Sequence, residues 1–234
     1  MKTDLSEETP HVSSTDNGIP LSRRPKMVVF GGSFDPVHIG HLFLAGEIIR
    51  AGLVDEVLFV PARRPPHKIG TVMSKPEDRL NMLTIALEPY AEFSMSDIEI
   101  RREAGLSYTI DTLEMLNQLF PDHRLNFLMG MDSLENLHTW HRATELVQRY
   151  DFLVYPRASI TPPSYSGLAG HFGNRNARKL LDSVLPMNMI PVTATTIREL
   201  CAADKNLAGQ IPESVLGYIK EHGLYEKQTL DEES

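Results

Sequence analysis

The sequence has very little cysteine and no long apolar run. Cys201 is the only cysteine among the 234 residues. A single thiol excludes an internal disulfide and a multi-cysteine metal site, and it fits a reducing compartment, so we expect a cytoplasmic protein. A membrane helix needs about eighteen or more consecutive apolar residues, and no such run is present. We therefore expect a soluble protein without a membrane partner.

The chain also lacks an excess of positive charge. Its 23 Lys and Arg residues against 31 Asp and Glu residues give a formal net charge of -8. Binding to nucleic acid irrespective of sequence requires clustered basic residues, so we expect no nucleic-acid partner. A phosphate-bearing ligand must instead be held by a local site. The 41% hydrophobic and 23% charged residues are typical of a globular protein with a buried core.

The two ends differ in composition from the middle of the chain. Residues 1–25 are rich in Ser, Thr, Asp, Glu and Pro and lack the apolar stretch of a signal peptide, which predicts a disordered N-terminal extension. Residues 227–234 are similarly polar and predict a flexible tail. The remaining residues, 26–226, are enough for one sizeable domain.

Short apolar runs alternate with segments of helical periodicity throughout that domain. This alternation predicts an α/β protein with an open, doubly wound parallel sheet, helices on both of its faces and a small C-terminal helical portion. The predicted strands are residues 27–30, 57–60, 93–100, 125–129, 152–155 and, as the last, 187–191. The predicted helices are 42–51, 76–87, 109–120, one within 134–150, 176–184, a short one from Thr195 and one between Pro212 and Gly223, whereas 159–173 is expected to be loop.

The loop after the first predicted strand, residues 31–41, has the sequence G-G-S-F-D-P-V-H-I-G-H. Ligands of open parallel sheets bind beyond the carboxyl ends of the strands, where this loop lies. Paired glycines let the backbone approach a ligand closely, and the following helix directs its free N–H groups and positive dipole end at the same space. The loop therefore predicts an anion site.

His38 and His41 are three residues apart, so both lie on one face if the helix begins near Val37. Imidazole donates hydrogen bonds, and neighbouring phosphates favour its protonated form, which suits the stabilisation of a departing pyrophosphate. A histidine pair also occurs at metal sites and at helix caps. A structural zinc site needs four closely spaced ligands, however, and no nearby Cys or His cluster supplies the others, so we expect no protein metal site.

Residues 31–41 resemble the G-G-S-F-D-P-x-H-x-G-H signature of nicotinate mononucleotide adenylyltransferases, in the H-x-G-H nucleotidyltransferase superfamily. H-x-G-H alone indicates only the superfamily, whereas the whole string is highly specific. The resemblance implies a Rossmann-like domain that transfers AMP from ATP to nicotinate mononucleotide, giving nicotinate adenine dinucleotide and pyrophosphate in NAD biosynthesis. It implies catalysis by His38 and His41, and ATP binding by the loop residues Gly31, Gly32, Ser33, Phe34, His38 and His41.

A second matching element is the stretch 192–198, V-T-A-T-T-I-R, which resembles the I-S-S-T-x-I-R element of the same family. Thr195 and Arg198 stand at helical spacing, so a hydroxyl N-cap and a guanidinium could both address phosphate oxygens. We therefore add Thr195 to the ATP-binding residues and Arg198 to the ATP-binding and catalytic residues. Ala194 stands where the family has a serine, which leaves the phosphate contacts of this turn open.

Four further stretches resemble the family. Lys68, in P-P-x-K, is implied to hold the mononucleotide phosphate, and Asp132, in Gly130-x-Asp132, is placed to accept a hydrogen bond from a ribose hydroxyl of ATP. The S-Y-T segment is implied to contact the nicotinate ring, although by itself it would be interpreted as a helix cap. Trp140 is implied to stack on the same ring, although a single tryptophan is more often a core residue. The predicted mononucleotide-binding residues are thus Lys68, Ser107, Tyr108, Thr109 and Trp140.

The resemblance implies that the ligands are ATP and nicotinate mononucleotide, with Mg²⁺ bound to the phosphates of ATP. An ion held in this way needs no acidic cage in the protein, and none is evident in the sequence. Two alternatives stay open. One is another H-x-G-H transferase, acting on nicotinamide mononucleotide or phosphopantetheine or transferring a cytidylyl group. The other is a nucleotide-binding regulator without turnover. The sequence does not decide between nicotinate and nicotinamide, nor does it fix the oligomeric state, for which a homodimer is one option.

Overall fold

The computed structural model describes residue 20 and residues 23–63, 73–102, 106–157, 160–187 and 189–226. Most of the predicted N-terminal extension and all of the predicted tail, residues 227–234, lie outside these ranges. The strands are β1 (Lys26–Gly32), β2 (Glu56–Pro61), β3 (Phe93–Met95), β4 (Arg124–Gly130) and β5 (Asp151–Tyr155). The helices are α1 (Ile39–Arg50), α2 (Pro76–Leu87), α3 (Thr109–Leu119), α4 (Met131–Glu135), α5 (Ala143–Arg149), α6 (Tyr165–Asp182), α7 (Ala194–Ala202) and α8 (Glu213–Glu221).

The five strands form one parallel sheet in the order β3-β2-β1-β4-β5. At its centre, Val29 of β1 is in register with Leu58 of β2 and with Phe127 of β4. The chain moves outward in one direction from β1 to β3 and then returns to add β4 on the other side of β1. Because the helices that follow β1 and β4 lie on opposite faces, a crevice opens beyond the carboxyl ends of these two strands. The predicted doubly wound α/β fold is confirmed.

Each face of the sheet has its own hydrophobic core, because successive side chains of a strand point to opposite faces. In β1, Met27 and Val29 belong to one core, while Val28 and Phe30 belong to the other. The first core also contains buried residues of α3, α5 and α6. The second contains those of α1, α2, α7 and α8. The C-terminal helices are therefore part of the layer that covers one face of the sheet.

Three predicted elements differ from the structure. The strand predicted at 93–100 ends at Met95, because the N–H of Arg101 donates to the carbonyl of Asp97 and closes a turn. The strand predicted at 187–191 is absent from its described residues, since the chain makes one bridge to β5 at Val184 and then leaves the sheet. Pro186 and Pro191, which have no N–H to donate, limit any further pairing.

The prediction of a loop at 159–173 was wrong from Tyr165 onward, because α6 begins there. The Ser164 side chain caps this helix by accepting a hydrogen bond from the N–H of Gly167 at 3.1 Å. Leu168 and Phe172, four residues apart, are buried on one face. The helical spacing of these apolar residues therefore outweighs the glycines, of which only Gly173 leaves the helical conformation, at φ 78°.

Arg79 of α2 is buried to 1% exposure and joins three segments of backbone. Its Nη1 donates to the carbonyls of Ser33 at 2.9 Å and of Ala62 at 2.7 Å, and its Nε donates to the carbonyl of Ser74 at 3.3 Å. These carbonyls lie after β1, after β2 and before α2. One guanidinium thus fixes the loop that follows β1 to its two neighbours. No sequence pattern indicated this role for Arg79.

We expect Arg79→Met to lower the free energy of unfolding by about 3 kcal/mol, because it leaves carbonyl oxygens buried without their donor while keeping most of the aliphatic packing. Urea denaturation at pH 7 measures the change. Arg101→Met is the matched control, since the Arg101 side chain is 80% exposed and pairs with Asp97 at the surface. Equal losses in the two variants would show that Arg79 does not hold the loop.

Candidate active site

Two adjoining cavities occupy the crevice at the carboxyl ends of β1 and β4. The first cavity, of about 440 Å³, lies between the start of α1 and the start of α7. The second cavity, of about 340 Å³, lies between the ends of β1 and β4, α3 and Trp140. Five residues contribute to the lining of both cavities: Phe30, Ser33, His41, Tyr155 and Arg157. Molecules in the two cavities would therefore meet at Ser33, His41 and Arg157.

His38 and His41 lie at the start of α1, which begins at Ile39, close to the start near Val37 considered from the sequence. His38 is the N-cap in an extended conformation, and its N–H donates to Nδ1 of His41 at 3.2 Å. The two rings stack with centroids 3.7 Å apart. Because Nδ1 of His41 accepts a hydrogen bond, the ring hydrogen of this tautomer is on Nε2. His41 is thus held as an Nε2–H donor.

His38 is buried to 6% exposure, and burial lowers the pKa of its imidazole to about 4, with the charge of Arg157 as a second cause. At neutral pH the ring is therefore uncharged in the absence of a ligand. Its Nδ1 is buried and has no hydrogen-bond partner among the described residues. Gly40 makes room for this ring, because a Cβ at position 40 would lie 3.0 Å from Nδ1 of His38.

The first cavity is closed on one side by contacts between α7 and the loop after β1. Nη1 of Arg198 donates to the carbonyl of Asp35 at 2.7 Å, and its Nη2 donates to Oγ1 of Thr195 at 3.3 Å. Thr195 was predicted to cap α7, but the N-cap is Thr193, whose hydroxyl accepts from the N–H of Thr196 at 3.1 Å. Thr195 therefore lies inside the first turn, where it lines the first cavity together with Arg198.

The loop residues divide between the two cavities. Gly31 and Gly32 line the second cavity, Phe34 the first, and Ser33 both. The Phe34 ring is 2% exposed and lies 5.5 Å from the rings of Phe30 and Phe59, so it belongs mainly to the core. The predicted ATP-binding roles of the four loop residues remain predictions.

The second cavity contains Gly130 and Asp132 at the end of β4, although both were predicted to bind ATP. Asp132 Oδ1 pairs with Nε of Arg157 at 2.9 Å, so its carboxylate faces the wall shared by the two cavities. A Cβ at position 130 would lie 2.3 Å from Oδ1 of Asp132, so a larger residue there would displace this carboxylate. This position is compatible with a contact to either ligand.

Two of the predicted mononucleotide-binding residues, Thr109 and Trp140, line the second cavity. The Trp140 indole packs edge-on against Phe127 with centroids 6.0 Å apart, which fixes its orientation. Tyr108 instead stacks on His141 at 4.4 Å, next to the cavity. Ser107 lies in the same segment before α3, and Lys68 lies outside the described residues.

Sequence reasoning missed several residues of this site. Arg157 lines both cavities, and its Nη2 donates to the hydroxyl of Tyr155 at 3.3 Å. Its position just after the carboxyl end of β5 was the signal that could have identified it. Glu99, 8% exposed, lines the second cavity because the turn that ends β3 turns its side chain inward.

The part of the chain that the structure describes contains no group of three or more His, Cys, Asp or Glu side chains arranged to hold a metal ion. Asp35, the carboxylate nearest the first cavity, has both oxygens engaged. Oδ1 accepts from the hydroxyl of Tyr225 at 2.6 Å and Oδ2 accepts from the N–H of Ser74 at 3.2 Å. No helix among the described residues is long and apolar enough to cross a membrane.

The cytidylyltransferase-like family model matches residues 29–200 of the chain. A protein of Dehalococcoides mccartyi named "Probable nicotinate-nucleotide adenylyltransferase" is 35% identical over 204 residues, covering 87% of this chain and 98% of the relative. A protein of the same name from Carboxydothermus hydrogenoformans is 36% identical over 200 residues, covering 86% and 98%. The chain belongs to the nicotinate-nucleotide adenylyltransferase family.

The fold of this nicotinate-nucleotide adenylyltransferase family member is shared by solved structures. Nicotinic acid mononucleotide adenylyltransferase of Plasmodium falciparum, complexed with NaAD, superposes with a TM-score of 0.67 at 19% identity, covering 86% of this chain and 97% of that one. The same enzyme complexed with APC gives a TM-score of 0.66 at 18% identity, over the same shares of the two chains. The resemblance stated from residues 31–41 is thus confirmed at the level of family and fold.

The family model does not extend to Tyr225, although this residue contacts the family's signature loop. Burial, followed by the charge of Asp35, raises the pKa of the Tyr225 hydroxyl far above its usual value, so it remains a hydrogen-bond donor at any physiological pH. The C-terminal end of the domain is therefore anchored to the adenylyltransferase site through Asp35.

We expect the buried His38 of this nicotinate-nucleotide adenylyltransferase family member to reduce stability in acid. Its folded pKa of about 4 lies below the usual histidine value of 6.5, so the unfolded chain binds the proton first as the pH falls. Stability therefore decreases from about pH 6.5 to about pH 4, by at most about 3 kcal/mol from this residue. Urea denaturation of the wild type and of His38→Gln across this range isolates the effect, and two parallel pH profiles would contradict it.

Proposed function

We propose that the protein transfers AMP from ATP to nicotinate mononucleotide, producing nicotinate adenine dinucleotide and pyrophosphate. The observation that carries this proposal is the pair of cavities that meet at Ser33, His41 and Arg157. A transfer between two nucleotides needs two adjoining sites whose reacting phosphates face one another. The family to which the chain belongs is named for this reaction, which supports the assignment.

The first cavity is suited to the triphosphate of ATP. His38, His41 and Arg198 contribute ring and guanidinium donors, and Arg157 adds a positive charge from the shared wall. The N-cap of α1 at His38 also lines this cavity, which places the positive end of the helix dipole next to it. A bound phosphate would raise the pKa of His38 from its low unliganded value, because a nearby negative charge stabilises the imidazolium. Binding would then strengthen the donor.

The second cavity is suited to the mononucleotide. Trp140 offers an aromatic face to a pyridine ring, and the N-terminus of α3 at Thr109 offers a favourable dipole to its carboxylate. Gly31 and Gly32 allow close approach of the phosphate toward His41. Lys68, Ser107 and Tyr108 complete the proposed set, with Gly130 and Asp132 at the boundary between the two ligands.

The reaction needs no protein nucleophile. A phosphate oxygen of the mononucleotide attacks the α-phosphorus of ATP, and the bond from that phosphorus to the oxygen leading to the β-phosphate breaks. The protein therefore acts by aligning the two anions and by stabilising the negative charge that develops on pyrophosphate. We assign this stabilisation to Nε2–H of His41, to Arg198 and to His38.

Magnesium would enter with ATP. The residues at the first cavity are mainly hydrogen-bond donors, and Asp35 is already engaged by Tyr225 and Ser74, so the site fits an ion carried by phosphate oxygens and water. When bound, Mg²⁺ neutralises phosphate charge in the transition state. His38, His41 and Arg198 would hold the phosphate oxygens around it.

The structure weakens one argument for a regulator without turnover. Ala194 replaces a serine of the resembled element, which raised the question of a defective phosphate turn. The cap of α7 is nevertheless intact, because the hydroxyl of Thr193 accepts from the backbone of Thr196 and also bonds to the hydroxyl of Thr196 at 2.9 Å. The substitution therefore leaves the turn formed and Arg198 in place.

We expect the purified protein to release pyrophosphate from ATP, Mg²⁺ and nicotinate mononucleotide, and His41→Ala to lower the rate about a hundredfold or more. Arg198→Lys should also lower kcat, because a lysine lacks the planar fork with which the guanidinium can reach the carbonyl of Asp35 and a phosphate at the same time. A coupled pyrophosphate assay measures both. His171→Ala, an exposed histidine of α6, is the control and should retain the full rate.

Nicotinamide mononucleotide and phosphopantetheine tested in parallel define the substrate. Preference for phosphopantetheine would overturn the assignment of the second cavity. Absence of pyrophosphate with all three acceptors, together with tight binding of ATP, would favour the regulator.

A further inference from the structure

The buried carboxylate of Glu99 has no role in the site as proposed so far. Glu99 lies in the turn after β3, is 8% exposed and lines the second cavity together with Thr109 and Trp140. One of its oxygens, Oε1, accepts from the hydroxyl of Thr112 at 2.7 Å. The other, Oε2, is buried and has no hydrogen-bond partner among the described residues.

A buried oxygen without a donor is costly, so a donor on a molecule bound in this cavity would stabilise it. The surroundings of Glu99 hold it in place. The Thr112 and Ser107 side chains and the Arg63 backbone interact with its carboxyl, and Arg102 provides the neighbouring charge. Burial is the largest influence on this carboxyl and raises the pKa of Glu99 in spite of these contacts.

The chemistry of the proposed substrate limits which of its groups this oxygen can contact. Nicotinate mononucleotide has an anionic phosphate, an anionic carboxylate and an aromatic cation that has no N–H. Both anions are hydrogen-bond acceptors, and a carboxylate would repel them. The remaining polar groups are the two ribose hydroxyls, which are donors. The phosphate is required at His41, so the ribose must lie between that point and the ring on Trp140.

We propose that Glu99 binds the mononucleotide by accepting a hydrogen bond from a ribose hydroxyl through Oε2. Thr112 is then a positioning residue, since its hydroxyl fixes Oε1 and thereby the direction of Oε2. This inference rests on the proposed function, because it takes the second cavity as the mononucleotide site. It adds a contact that selects for a ribose at that position.

The test combines a protein variant with substrates that lack one hydroxyl. We expect Glu99→Gln to raise KM for nicotinate mononucleotide about tenfold and to leave KM for ATP nearly unchanged, because a charge-assisted hydrogen bond is replaced by a weaker one. The wild type should discriminate by a similar factor against either the 2′-deoxy or the 3′-deoxy mononucleotide. For Glu99→Gln that discrimination should become smaller, since the amide oxygen can still accept the same bond but without the help of a negative charge.

Glu92→Gln is the matched control, because Glu92 is exposed just before β3 and undergoes the same change of charge. Thr112→Val should reduce the discrimination without abolishing it. Glu99→Gln removes no packing volume, and urea denaturation verifies that it folds. Calorimetric binding of the mononucleotide alone provides a readout that does not depend on turnover. A protein that discriminates between ribose and deoxyribose mononucleotides in binding, but releases no pyrophosphate, would contradict only the proposed function.

Three results would overturn the inference. The first is that Glu99→Gln raises KM by the same factor for the ribose substrate and for both deoxyribose substrates, which would indicate a purely structural role. The second is an equal rise of KM for ATP. The third is a penalty confined to nicotinamide mononucleotide, which would identify the carboxamide N–H group as the donor.

Discussion

Two arginine side chains hold the backbone of the loop that follows β1, and the rest of the site depends on this restraint. Arg79 of α2 donates to the carbonyl of Ser33, and Arg198 of α7 donates to the carbonyl of Asp35. The loop contributes to both cavities and leads directly into the N-cap at His38. If its carbonyls moved, the two histidines and the shared wall would move with them. Charged donors suit this task because hydrogen bonds that involve an ionised group are stronger than neutral ones.

The same restraint determines the local electrostatics. The chain as a whole has a formal net charge of -8, yet the first cavity contains Arg198, Arg157 and two histidines. Asp35 is the opposing charge, and it is engaged by Tyr225 and by backbone. His38 remains neutral until an anion arrives, because burial and Arg157 both disfavour its protonated form. A site that is only partly charged when unliganded carries a smaller desolvation penalty than four permanent cations would.

The sequence predicted most of the fold because the relevant signals are local. Buried parallel strands appear as short apolar runs, as at residues 27–30, and the glycine-rich loop with its histidines is contiguous in the chain. The errors occurred where tertiary contacts decide the outcome. Residues 96–100 continue an alternating pattern, but the turn at Asp97 takes them away from the sheet edge. Similarly, α7 is capped by Thr193 and not by Thr195, which places Thr195 inside the first turn of the helix.

The groups that the sequence did not reveal share a physical feature, since each acts through contacts between distant segments. Arg79 bonds to Ser33 across 46 positions, and Tyr225 bonds to Asp35 across 190. Glu99 depends on the early end of β3, because a strand continued to residue 100 would have kept its side chain at the sheet and away from α3. A three-residue edge strand thus has a functional consequence: it frees the following turn to deliver a carboxylate to the floor of the second cavity. The length of β3 and the polarity of that cavity are therefore linked by the same backbone turn.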